Sequence, residues 1–98
     1  MNDATDALVI DLPAHLDLTA AAPLAERFLA ARGEAIAIDA SKVERLGGQC
    51  LQVLLSAVVT WKADLTPLSI IQPSDGFESG LKLLGLSVDS LIEKEITL

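Results

Sequence analysis

Ile36-Ala37-Ile38-Asp39-Ala40-Ser41-Lys42-Val43-Glu44-Arg45-Leu46-Gly47-Gly48-Gln49-Cys50-Leu51-Gln52-Val53-Leu54-Leu55 decides the fold of this chain. It opens with an apolar run rich in isoleucine, passes through a short polar stretch and two glycines, and continues as an apolar segment with helical spacing. A strand that feeds a helix through a short loop is half of a βαβ unit. In α/β proteins, binding concentrates at the loop and helix start that follow a strand's carboxyl end. The turn therefore reads as a docking surface, and no set of catalytic groups converges on it.

Working outward, the segment after the glycines predicts a helix from Gly47 or Gly48 to Trp61 or Lys62. Leu51, Leu54, Leu55 and Val58 form its buried stripe. Gln49, Gln52, Ser56 and Thr60 recur at helical spacing and share the opposite face. Upstream, Ala7 to Leu12 reads as a strand, and His15 to Leu18 as a short second one. Pro13 places this pair at a hairpin-like edge. Leu24, Phe28 and Ala31 lie on one helical stripe with Leu29 beside it. Pro23 belongs in the first turn of that helix, so the helix is expected to begin at Thr19 or an alanine just after it. Gly33 is its left-handed stop. Downstream, Leu68 to Gln72 is a strand. Ser74 or Asp75 caps a helix from Phe77 to Leu84, and Gly85 stops it. Val88 to Ile92 forms another helical turn, and Ile96 to Leu98 closes as a strand or docks. The expected architecture is one α/β domain over residues 1–98, with a mixed sheet of four to five strands packed by three to four helices.

Composition narrows the function. A chain of 98 residues builds one core. Phe28, Trp61 and Phe77 are its only aromatic residues, so that core is aliphatic. The net charge of −7 disfavours nucleic acid and anionic lipid as partners. No apolar run approaches the ~20 residues needed to span a bilayer, and the acidic N-terminus is unlike a secretory signal. Cys50 is the only cysteine, which fits a reducing cytoplasm. These features lead to the expectation of a cytoplasmic protein without membrane insertion.

Three segments, in this order and spacing, resemble the STAS domain shared by bacterial anti-sigma-factor antagonists and the tails of sulfate transporters. They are His15 to Thr19, Ile36 to Val43 with Gly47 to Leu55, and Pro67 to Ile71 with Leu84-Gly85-Leu86. The family's antagonists carry a phosphorylatable hydroxyl at the tip of the second helix. The matching positions here are Gly47, Gly48, Gln49 and Cys50, and none has a hydroxyl. Gln49 stands at the lost phosphosite, and the family's charge-based switch has no acceptor there. This pattern is similar to small single-domain members encoded with chemotaxis kinases. The resemblance implies a non-enzymatic adaptor that binds a chemotaxis-type histidine kinase and alters phosphoryl flow by contact. It also leaves two other roles: an anti-sigma-factor antagonist switched by an anti-sigma kinase, and the soluble subunit of a membrane lipid transporter.

The expected partner surface comprises Lys42, Glu44 and Arg45 of the loop, Gly47 and Gly48 of the turn, and Gln49, Gln52, Ser56 and Thr60 of the helix. An uncharged polar helix face stands out in a chain with 14 acidic and 7 basic residues, because interface centres avoid Lys, Glu and Asp. Ser41 is an alternative phosphosite, although Asp39 and Ser41 equally suit a role in holding the loop. Gly47 and Gly48 suggest an unusual backbone turn or close approach by a partner. Cys50 reads as a packed small residue, His15 as an ordinary strand-edge histidine, and Trp61 as a residue at the core's edge. No cofactor and no metal set is expected.

Overall fold

The computed structural model describes residues 7–93. In chain order it contains β1 (Leu8–Asp11), β2 (His15–Leu16), α1 (Leu18–Ala30), β3 (Ile36–Asp39), β4 (Arg45–Leu46), α2 (Gly48–Ala63), β5 (Leu68–Ile71), α3 (Asp75–Leu83) and α4 (Val88–Ile92). The α/β class is the expected one. The anticipated closing strand at Ile96–Leu98 lies outside the described residues.

The isoleucine-rich β3 is the central strand, with β1 on one side and β5 on the other, both parallel to it. In this register Ile10, Ile38 and Ile70 stand side by side, as do Leu8, Ile36 and Leu68. Alternation along a strand puts both rows on one face. That face meets the helices: Ile10, Ile36 and Ile38 are buried together with Leu54, Val58, Trp61, Phe77, Leu81 and Leu91.

The expected hairpin-like edge does not form. β1 pairs with β3, while β2 pairs in parallel with β4, giving a two-stranded ribbon beside the three-stranded sheet. β4 was not foreseen, because two residues carry no periodicity. Its pairing depends on Ala14, whose carbonyl accepts from the amides of both Glu44 and Arg45 at 2.7 and 3.1 Å.

Helix α1 also starts earlier than expected. The Asp17 carboxylate caps it by accepting from the amides of Thr19 and Ala20. Pro23 therefore falls in the second turn, where the bond its missing N–H would have made goes to the exposed Thr19. Gly33 and Gly85 adopt φ of +94° and +83°, as the two helix stops require. Ser74 caps α3 as foreseen: its hydroxyl accepts from the amide of Phe77 and donates to the carbonyl of Val43 at 2.5 Å.

Candidate functional site

The tip of α2 is built on the β2–β4 ribbon. The amide of Gly47 donates to the carbonyl of Leu16 at 2.8 Å, and the amide of Leu51 donates back to Gly47. One turn into the helix, the Cys50 thiol donates to the carbonyl of Asp17 at 3.3 Å. These bonds tie the tip of α2 to the start of α1. Gly47 is the cap residue and offers no side-chain acceptor to the helix amides. The first turn also contains no acidic residue, so the positive end of the helix dipole is uncompensated locally.

The two glycines do not form an unusual turn. Gly47 is extended, with φ of −93° and ψ of 166°, and neither glycine has positive φ. Lack of bulk distinguishes them instead. A Cβ on Gly47 would meet the carbonyl oxygen of Leu16 at 3.2 Å. A Cβ on Gly48 would meet nothing within 4 Å. Gly48 thus leaves the helix tip bare toward solvent, with Gln49 exposed beside it.

The structure divides the expected partner surface in two. Gln49, Gln52, Ser56 and Thr60 line a groove of about 320 Å³ between α1 and α2, opposite Leu29 and Arg32. Glu44, Arg45 and Gly47 line a second groove, between the β4 ribbon and α3, together with Leu46, Gly80 and Leu83. Lys42 and Gly48 are exposed and line neither groove. The tip of α2 is the meeting place, since Gly47 belongs to one groove and Gln49 to the other. The expected Lys42–Arg45 loop is in part a strand, because Arg45 begins β4 and stands in register with His15.

The second groove exists because α3 lies unusually close to β4. A Cβ on Gly76 would come within 2.7 Å of the carbonyl oxygens of both Val43 and Glu44. A Cβ on Gly80 would come within 2.8 Å of the Leu46 side chain. The spacing of Gly76 and Gly80 is visible in sequence, but the strand they accommodate is not.

Of the remaining candidates, Asp39, Cys50 and Trp61 have structural roles, while Ser41 and His15 are exposed. Asp39 accepts from the amide of Ser41 at 2.9 Å, and hydrogen bonds from Ser41 hold its carboxyl below the usual aspartate range. Ser41 itself is exposed. Cys50 is fully buried, and desolvation, followed by the nearby Asp17 carboxylate, pushes its thiol pKa up. It is a packed residue with little thiolate. His15 is exposed on β2. Trp61 is buried against Phe28 in an edge-to-face arrangement, with centroids 6.1 Å apart, and its indole N–H donates to the carbonyl of Glu34 at 2.7 Å. Among the described residues, no three His, Cys, Asp or Glu side chains gather to hold a metal ion, and no helix is long and apolar enough to cross a membrane.

A family model described as Mlab, STAS domain matches residues 2–93, nearly the whole chain. The chain belongs to the STAS-domain family. No curated protein and no solved structure matches it. In this STAS domain, the tip of α2 carries Gly48 and an exposed Gln49, and the neighbouring thiol is sealed in the core.

Proposed function

We propose that this STAS domain is a non-enzymatic adaptor in signal transduction. It docks on a protein kinase, a histidine kinase of the chemotaxis type, and redirects phosphoryl flow by contact alone. The bare tip of α2 carries this reading. Gly48 leaves free space beside the first turn, and no esterifiable oxygen stands at Gly47, Gly48, Gln49 or Cys50. Glu44 and Arg45 line the groove beside the tip with charges of both signs, which suits orientation of a partner more than affinity for it. The adjoining groove supplies apolar contact through Leu46 and Leu83, the latter almost fully exposed.

Affinity capture from the native cell extract, followed by mass spectrometry, tests the proposal. The expected result is recovery of a histidine kinase by the wild-type chain, its loss with Gly48→Arg, and weakening with Arg45→Glu. Gly48→Arg is informative because the side chain enters open space at ordinary φ and leaves the fold intact. Unchanged recovery with both variants would remove the helix tip from consideration. The same experiment separates the two other roles. An anti-sigma kinase in the eluate, with one phosphate on the chain by intact mass, selects the antagonist reading and points to Ser41. A membrane ATPase selects the transporter-subunit reading.

A further inference from the structure

Helix α1 has two apolar faces and packs only one of them against the protein. Leu24, Phe28 and Ala31 are buried in the core. A second row, Leu18, Ala22, Ala25, Leu29 and Arg32, repeats at alternating steps of four and three residues, the spacing of a helix–helix seam. Leu18 and Leu29 on this row are 71% and 70% exposed. Ala25, Leu29 and Arg32 of this row line the groove between α1 and α2, floored by Phe28, Val53, Ala57 and Trp61.

We propose that this face is a two-fold interface with a second copy of the same chain, with the two α1 helices antiparallel and crossing at Ala25. Three observations favour a second copy as the occupant. The first is shape. A two-fold axis at Ala25 places each Leu29 opposite the second copy's Ala22, large against small, and Ala25 against itself permits close approach.

The second is charge within the groove. A chain of net charge −7 repels its own copies wherever acidic faces meet, yet no Asp or Glu lines this groove, and Glu26, exposed on the flank beside Ala25, stays in solvent. The third is charge at its ends. The same axis brings Arg32 of each copy to the second copy's Asp17 and Leu18. Arg32 commits Nε and one Nη2 donor to Asp64, at 2.9 and 3.2 Å, which leaves three of its five N–H donors. All three of the hydrogen bonds that Asp17's side chain accepts fall on Oδ1, which leaves Oδ2 for that guanidinium. α1 and the facing part of α2 are about 20 Å long, so the interface is smaller than the ~800 Å² per partner of a standard complex, and the dimer is weak and reversible.

This interface meets the kinase-docking tip at Gln49, and the two are tested by different variants. Sedimentation of the full chain from about 5 to about 500 µM is expected to show a reversible monomer–dimer equilibrium across that range. Leu29→Arg is expected to weaken the dimer about 100-fold, because a cation then replaces the leucine packed on Ala22 at both symmetry-related positions, while circular dichroism stays unchanged for so exposed a position. An Ala25→Cys chain is expected to cross-link to itself on oxidation, whereas Ala30→Cys, exposed on the opposite flank of α1, does not. A monomer at every concentration overturns the proposal. So does a dimer that survives Leu29→Arg, or equal cross-linking at the two cysteine positions.

Discussion

Cys50 shows how little one residue's position in sequence settles about its chemistry. It stands in the first turn of a helix, where the dipole favours a thiolate. Burial opposes the dipole here, and the nearby Asp17 carboxylate acts in the same direction as burial. The thiol donates to a carbonyl and remains a thiol. Native protein is therefore expected to react with a disulfide reagent such as DTNB at least about 100-fold more slowly than protein unfolded in guanidinium, with absorbance at neutral pH as the readout. Fast labelling of the native chain would contradict the packed role. Gln49 is the contrasting case. Its exposure and its lack of an esterifiable oxygen were both readable from the residue and its helical phase.

At the scale of elements, the contact between α3 and β4 holds the second groove open to solvent. It depends on Gly76 and Gly80 alike, because the atoms facing them are backbone oxygens and the Cβ of Leu46, none of which a rotamer change can move. Gly76→Ala is expected to cost about 2–3 kcal/mol, the range for overpacking against atoms that cannot turn aside. Gly48→Ala, with open space and ordinary φ, is expected to be neutral or to stabilise by up to about 1 kcal/mol. Urea unfolding followed by the fluorescence of Trp61, the only tryptophan and a buried one, measures both. Equal midpoints for the two variants would mean that α3 moves away freely. The pairing of Gly76 with β4 could not be read in advance, because a two-residue strand is recognised only by its partner. The exposed seam on α1 was readable as alternating steps of four and three, but Leu29 was read only as a neighbour of the buried stripe.

At the scale of the whole molecule, three aspartates, two holding element ends and one joining α2 to α1, are expected to contribute to the response to acid. Asp17 ties the start of α1 through its bonds to Thr19, Asp39 holds the β3 end through Ser41, and Asp64 joins α2 to α1 through Arg32. Each carboxyl is held below the usual aspartate range, chiefly by these hydrogen bonds. A depressed carboxyl favours the folded state above the unfolded chain's pKa, and that contribution disappears as pH falls through the depressed value. The melting temperature is therefore expected to drop below the ordinary aspartate range. Arg32→Ala, by returning Asp64 toward its usual value, should make that drop shallower. A wild-type melting temperature flat to the lowest pH at which the protein stays folded would refute the linkage.

Local pattern alone determined the α/β class, the central position of β3, the main buried stripe of α2, the stop of α3 and the absence of any hydroxyl from Gly47 to Cys50. Each of these depends on residues adjacent in the chain or separated by a helical or strand period, so chemistry and spacing suffice. Tertiary structure decided the pairing of β2 with β4, the bond from the Cys50 thiol to the carbonyl of Asp17, the close seat of Gly76 and the division of one expected surface into two grooves. Those features arise where segments 30 or more residues apart meet, and no periodicity within a segment encodes what will lie against it.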